Sequence, residues 1–368
     1  MSIITLAKHL VKVFLKRERI DFVRNSSEYN FEDKKLIEKE KIFFEDLNIN
    51  KLTSSNANQY EKLVGIDGVC FSGSSAVGDF LGEFCNCTSI GGVAPLENPD
   101  RGIENSYEFD FLREPGGILD LERICYNNCT RLRNTAIKQF ISVCYEYYKN
   151  SIPYFDDYFL ERSKKYVKEI MNTSFYSSES SVEYFPKKIS LKEYRNISKQ
   201  YLIDILKNIP SNKYLVCDNL TSIGRPDQGI INDYLGDCKV IYNFSDPRDV
   251  YARARLIPGN DWVPVDPEIF VKNWEQNTIP CLNDTNSNTL ITNFDDFCND
   301  YETQAKKIMD FLGLEEKDHV DKFKYFNPNV SINNTGVWRK LENQKPIEYI
   351  FENLKEFCYD KENHKRYV

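Results

Sequence analysis

Residues 63–84 read LVGIDGVCFSGSSAVGDFLGEF, and this stretch decides the fold class. Leu63 to Ile66 is a short apolar run of strand type, the residues around Phe71 to Ser75 form a tight turn of small side chains, and Ala76 to Phe84 has helical spacing. A strand that runs through a small-residue turn directly into a helix is the opening unit of a parallel α/β sheet. The turn also has a chemical meaning. Small side chains let the backbone close around an anion, and the N–H groups and dipole of a first helical turn favour a phosphate there. Ser72, Gly73, Ser74 and Ser75 are therefore candidate phosphate-binding residues, the serines adding hydroxyl donors. No Gly-Lys-Ser/Thr is present, so this is not a Walker A loop. The plain alternative is a small-residue turn that only caps a helix.

Downstream, further strand and helix signals alternate. Residues 85–105 are rich in Gly, Pro and Asn and read as a loop, and SYEFDFL (106–112) reads as a second strand. From about 118 to 208 the patterns are helical and rich in Tyr, Lys and Glu, an inserted helical subdomain. KYLVCDN (213–219), KVIYNFSD (239–246) and NTLITNFDDF (288–297) are apolar runs ending in polar residues, as strands of a parallel sheet do. DVYARAR (249–255) and DYETQAKKIMDFLGL (300–314) follow as helices. The expected fold is a three-layer α/β/α domain with a central, mostly parallel sheet, spanning 61–345. A polar and helical segment (1–60) precedes it, and a C-terminal helix and tail (346–368) follow.

Bulk properties narrow the function. The net charge of −8 excludes a protein whose main task is coating nucleic acid, because neutralising phosphates requires a basic surface. An anionic ligand must then be held by a local cradle. The 24 Phe and 23 Tyr exclude disorder of the whole chain. Eleven cysteines at irregular spacing, with only three histidines (His9, His319, His364), argue against a zinc site and for free thiols in a reducing, cytoplasmic compartment. Asn243-Phe244-Ser245 has the form of a glycosylation triplet but lies on an expected buried strand. Lys8, His9, Lys12 and Lys16 interrupt the N-terminal apolar run, so it is not a secretory signal. Residues 3–20 read either as a basic amphipathic helix on a membrane surface or as a first helix packed on the domain.

Two more constellations carry chemistry. In Ser245-Asp246-Pro247-Arg248-Asp249-Val250-Tyr251-Ala252-Arg253, Pro247 suits the first position of a helix, and the arginines suit phosphate because a guanidinium fork binds two oxygens at once. An Asp249–Arg253 helix-surface pair, four apart, is the competing reading. Near the C-terminus, Gly336, Trp338 and Arg339 suit a lid over a purine and a phosphate, against the alternative of a loop anchored by one tryptophan.

In this order the pieces resemble the sulfotransferase superfamily. The turn Phe71-Ser72-Gly73-Ser74-Ser75 is similar to the family's 5′-phosphosulfate loop, commonly Arg/Lys-Ser-Gly-Thr-Thr. The Ser245–Arg253 segment is similar to its 3′-phosphate motif, Arg-x-Pro-Arg-Asp-x-x-x-Ser. Asn293-Phe294-Asp295-Asp296-Phe297 with Ile308 to Leu314, and Gly336, Trp338 and Arg339, resemble two later elements. Two positions depart: Phe71 stands where the family has a cation, and the Arg and Ser of the 3′-phosphate motif are exchanged, as Ser245 and Arg253. The exchange keeps one cation and one hydroxyl, or marks a different donor.

The resemblance implies an enzyme that moves a sulfo group from 3′-phosphoadenosine 5′-phosphosulfate, without a metal, to a hydroxyl of a glycan or glycolipid. The bacterial members it resembles belong to surface-polysaccharide pathways such as capsule synthesis. It also implies a general base on the strand after the phosphate-loop helix, where Glu108 falls. The two-residue strand period puts Asp110 on the same face, and Asp218, at the end of KYLVCDN, reaches the carboxyl edge of the sheet, where open α/β sheets place their ligands. Two rivals stay open: a transferase of the same fold with another nucleotide-linked phosphoryl-type donor, and a catalytically silent binding module.

Overall fold

The apolar runs build five strands: β1 (Lys62–Asp67), β2 (Cys87–Ile90), β3 (Tyr214–Cys217), β4 (Cys238–Phe244) and β5 (Thr289–Asn293). The computed structural model describes residues 60–90, 112, 117–119, 121–122, 137, 140–144, 157–171, 189–209, 211–218, 220, 228–258, 263–360 and 365–366. The strands pair in the order β2-β3-β1-β4-β5, every pair parallel. Nine of the described helices build the layers and the site. Before β4 come α1 (Ser74–Gly82), α2 (Asp157–Met171), α3 (Leu191–Lys207) and α4 (Gln228–Leu235). After it come α5 (Pro247–Leu256), α6 (Pro267–Asn277), α7 (Phe294–Asn299), α8 (Tyr301–Leu312) and α9 (Lys345–Leu354).

Strand side chains alternate faces, and the core divides accordingly. Leu63, Leu215, Cys217 and Val240 point to one face and pack on α2, α3 and α4. Val64, Ile66, Val216 and Ile241 point to the other and pack on α1, α7 and α8. Tyr242 and Phe244, at the end of β4, join α5, α6 and α9 in a third cluster. The result is a three-layer α/β/α fold around a parallel sheet, as the alternating pattern requires. Within the stretch between 118 and 208, α2 and α3 lie directly on the sheet and contribute to one of the layers. Tyr166 and Tyr201 stack at 4.3 Å there, and their hydroxyls meet Ser198 and Ser163 at 2.8 Å, so the rings are buried without orphaned O–H groups. Helix α3 begins with a capping box in which Ser190 and Glu193 exchange backbone bonds.

Three local expectations need correction or fall outside the described residues. Part of the 85–105 loop is the edge strand β2, four residues with no alternation to betray it. SYEFDFL lies outside the described residues apart from Leu112, and so do Glu108 and Asp110. NTLITNFDDF is a strand only to Asn293, whose side chain then accepts the Asp296 N–H and caps α7. Residues 3–20 also lie outside the described part, while Asn243 is buried in β4 as expected. The nine described cysteines are free thiols, seven buried and two (Cys70, Cys85) exposed. No described helix is long and apolar enough to cross a membrane.

Chain connections lead from β1 toward the β2 side and from β4 toward β5, so they part between these two neighbouring strands. The crevice at the carboxyl ends of β1 and β4 is therefore the topological switch point, where open α/β sheets take their ligands. Helix α1 is fixed at its far end by Glu83, fully buried, which accepts the Tyr325 and Phe326 N–H groups at 3.0 and 2.9 Å and meets His319 Nε2 at 2.7 Å. His319 in turn stacks on Phe84 at 4.3 Å.

Candidate functional site

The cradle is the turn between β1 and α1. Gly73 is the N-cap of α1 at φ 78°, and no side chain caps the helix, so its first N–H groups and dipole are left to an anion. Glycine is required there twice over: the φ is left-handed, and a Cβ would come within 2.5 Å of the Phe294 ring. Replacing Gly73 by a β-branched residue would therefore strain the fold as well as the cradle. Phe71, where the sequence resemblance leads one to look for a cation, adopts φ 62° without being a glycine. Such backbone costs on the order of 1–3 kcal/mol and persists only where the surroundings impose it. Here the carbonyl of Phe71 accepts from Arg253, and Asn243 Nδ2 donates to the carbonyl of Ser72 at 2.8 Å. The Ser72 hydroxyl, 99% buried, has no hydrogen-bond partner among the described residues. Ser74 and Ser75 are half-buried.

The end of β4 stands beside the cradle. Ser245 and Arg253, separated by one turn of chain and most of α5, come together: Nη2 of Arg253 lies 3.4 Å from Ser245 Oγ. The same guanidinium donates to the carbonyl of Asn334 at 2.6 Å and lies over the Phe294 ring at 5.3 Å. Arg253 thus links the cradle, β4 and the C-terminal loop. Ser245 itself is fully buried and donates to Asp295 at 3.3 Å.

Arg248, expected at the phosphate, is engaged elsewhere. Its guanidinium pairs with Asp246 at 2.6 Å, donates to the Tyr359 carbonyl at 3.0 Å and stacks on the Trp338 ring at 4.5 Å. The reason is local: Asp246 is the N-cap of α5, two residues away, and its carboxylate is already fixed by the Arg248 N–H at 2.8 Å. Asp249 does not pair with Arg253 on the helix surface. It accepts the N–H groups of Gly336 and Trp338 at 2.6 and 2.9 Å and so fastens the C-terminal loop to α5. Trp338 sits between Arg248 and the exposed Arg339, whose guanidinium is 4.3 Å from the ring.

Sequence reasoning missed Asp295, which is 1% exposed and accepts the Asp246 N–H at 2.9 Å. The NFDDF match marked its neighbourhood, but nothing local distinguishes it from Asp296. Burial, then the neighbouring Asp246 and Asp249, hold the Asp295 carboxyl well above its usual range. Asp249 is raised too, by burial and then by Asp246. On α1, burial, Asp218 and Glu83 push Asp79 up to about 8.

A carboxyl whose folded pKa lies above its unfolded value of roughly 4 is protonated more readily in the folded state. Its contribution to stability is complete below pH 4 and is lost as pH rises through the folded value. The melting temperature should therefore fall steadily from about pH 5 to pH 8 as Asp249, Asp295 and Asp79 ionise. A pH series of thermal melts checks this, and a rise over that window would contradict it.

No protein-family model matches the chain, and no curated protein does. Solved structures do. A sulfotransferase domain of an olefin synthase from Synechococcus PCC 7002 shares 14% identity at a TM-score of 0.37, covering 82% of this chain and 97% of that one. A sulfotransferase from Mycobacterium avium shares 10% at 0.33, covering 76% and 68%. A retinol dehydratase solved with androsterone and the inactive cofactor PAP shares 15% at 0.33, covering 86% and 87%. Likeness this distant leaves the functional argument to the residues of the site.

Proposed function

We propose that the chain is a sulfotransferase-like enzyme that moves a sulfo group from a 3′-phosphoadenosine 5′-phosphosulfate-type donor to a hydroxyl of a glycan or glycolipid. The observation that carries the reading is the meeting of Arg253 with both Ser245 and the Phe71 carbonyl at the switch point. The exchanged cation and hydroxyl of the 3′-phosphate motif come back together in space, beside an uncapped helix N-terminus.

In this reading the first N–H groups of α1 and the hydroxyls of Ser74 and Ser75 hold the 5′-phosphosulfate. Arg253 releases the carbonyls of Phe71 and Asn334 to take the 3′-phosphate, a stronger charge-assisted partner. Trp338 and Arg339 lie over the nucleoside. With Phe71 in place of a cation, charge developing at the sulfo group is met by the N–H groups and dipole of α1. Arg248 holds the loop together and touches no phosphate. The acceptor is a sugar of a capsule or similar surface polysaccharide, modified at the cytoplasmic side, with residues 3–20 as a peripheral membrane contact.

Two observations favour the rival donor. Phe71 stands where a cation would meet a transferred sulfo group, and the carboxylates of Asp246 and Asp295 close to Ser245 work against a 3′-phosphate there.

Thermal melts with nucleotides decide. Adenosine 3′,5′-bisphosphate at a hundred times its dissociation constant should stabilise the protein by about 2.7 kcal/mol. That corresponds to roughly 3–4 °C for a chain of this size. Adenosine 5′-phosphate should do far less. Equal shifts with the two would remove the 3′-phosphate from the reading and leave the rival donor standing.

A further inference from the structure

The proposed transfer needs a group to take the proton of the acceptor hydroxyl. The resemblance directs attention to the strand after α1. Among the described residues the strand after α1 is β2, which carries Cys87, Thr88, Ser89 and Ile90 and no acid, while Glu108 and Asp110 lie outside the described residues. The carboxyls at the described sheet edge are mostly held by structural partners. Asp67 accepts the Gly68 N–H, Asp246 pairs with Arg248, Asp249 fastens Gly336 and Trp338, and Asp295 accepts the Asp246 N–H.

Asp79 differs from all of these. It stands four residues after Ser75 in α1, so the two share a helix face about 6 Å apart along the axis. Helix side chains lean toward the N-terminus, which brings this carboxyl toward the cradle. It is half-buried, and it makes no hydrogen bond or ion pair with a described residue. Beside it, Gly78 lacks the side chain that would fill the space next to Asp218: a Cβ there would sit 3.7 Å from the Asp218 carboxyl carbon. Asp218 is 2% exposed, at the carboxyl end of β3, with its N–H bonded to the Ile90 carbonyl at 3.0 Å. Glu83, one turn further along α1, is turned away to His319, Tyr325 and Phe326. Among the described residues, a carboxyl without a hydrogen-bond partner therefore stands on the helix face of Ser75, within electrostatic reach of the buried Asp218.

We infer that Asp79 is the general base of the proposed transfer and that Asp218, beside it, is its positioning residue. The inference rests on the sulfotransferase-like reading. In the step, an Asp79 carboxylate oxygen takes the proton of the acceptor O–H as the acceptor oxygen forms its bond to sulfur. The bond from sulfur to the 5′-phosphate oxygen breaks, its electron pair leaves with adenosine 3′,5′-bisphosphate, and Asp79 later returns its proton to water. Burial, Asp218 and Glu83 hold Asp79 protonated until about pH 8, so the transfer rate should climb toward that value.

The test measures nucleotide affinity and sulfo transfer to a panel of soluble glycans from pH 6 to 9, in the full chain and its variants. Asp79→Asn is expected to lower turnover by on the order of a hundredfold or more and to remove the rising pH limb, with bisphosphate affinity unchanged. Asp79→Glu should restore part of the rate and the limb. Asp218→Asn should lower turnover less than Asp79→Asn does and move the limb to lower pH, because it removes the neighbouring charge, and an unmoved limb overturns the role of Asp218. This second variant keeps the inference open to refutation if Asp79→Asn fails to fold. Full turnover with an unchanged pH profile in Asp79→Asn overturns the role of Asp79. An inactive Glu108→Gln beside an active Asp79→Asn overturns it equally. An unmodified protein that does not bind the bisphosphate, or binds it and transfers nothing, overturns the sulfotransferase-like reading itself and the inference with it.

Discussion

Replacing Arg253 by alanine is expected to weaken adenosine 3′,5′-bisphosphate binding by about a hundredfold, near 2.7 kcal/mol. The magnitude follows from the kind of contact that is lost. A guanidinium partly withdrawn from water and paired with a phosphate contributes in the range of roughly 2–5 kcal/mol when its removal strands the partner charge. Arg253 is held for this task by groups far apart in sequence: the carbonyls of Phe71 and Asn334, the hydroxyl of Ser245 and the ring of Phe294. Arg253→Lys should fall between the two, since an ammonium keeps the charge but loses the two-pronged geometry. Isothermal titration with the bisphosphate and with adenosine 5′-phosphate reads the difference. The loss should be specific to the bisphosphate. Equal loss with both nucleotides would mean that the variant only loosens the turn at Phe71, and unchanged affinity would separate Arg253 from the phosphate altogether.

The opposite outcome is expected at Arg248, five residues earlier on the same helix. Arg248→Ala should destabilise the fold by about 3–5 kcal/mol, the usual cost of stripping one partner from a buried ion pair. For a chain of this length that is a fall in melting temperature of roughly 4–6 °C. The cause is Asp246, 2% exposed, left without its cation while Asp249 and Asp295 stand close by. Asp246→Asn in the Arg248→Ala background should recover part of the loss, because the amide oxygen keeps the cap bond from the N–H of residue 248 without the charge, while the Tyr359 N–H, bonded to the other carboxylate oxygen, loses its acceptor. A stable Arg248→Ala protein that has lost bisphosphate binding would reverse the assignment and give Arg248 the phosphate. The two variants together separate an arginine that builds the loop from one that serves the ligand.

The sequence by itself determined the strands with strong apolar runs, the small-residue turn after β1, the proline start of α5 and the order in which these follow one another. Each is encoded within a window of about ten residues, where propensity, side-chain period and capping act locally. β2 escaped this reading because a four-residue edge strand takes its conformation from its neighbour β3 and not from its own pattern. The same local reading found Ser245, Arg248 and Arg253 but could not divide their labour. Arg248 is diverted by the helix-capping carboxylate of Asp246 and by the carbonyl of Tyr359, and Arg253 is claimed by residues 71, 245 and 334. Which partner a guanidinium takes is a matter of distance and burial, and chain segments over a hundred residues apart supply both. Asp79 and Asp218 illustrate the point most simply. Asp218 is legible at the end of its apolar run, but nothing in the segment of Asp79 marks that acid, and only the packing of α1 across the sheet brings the two carboxyls within electrostatic reach.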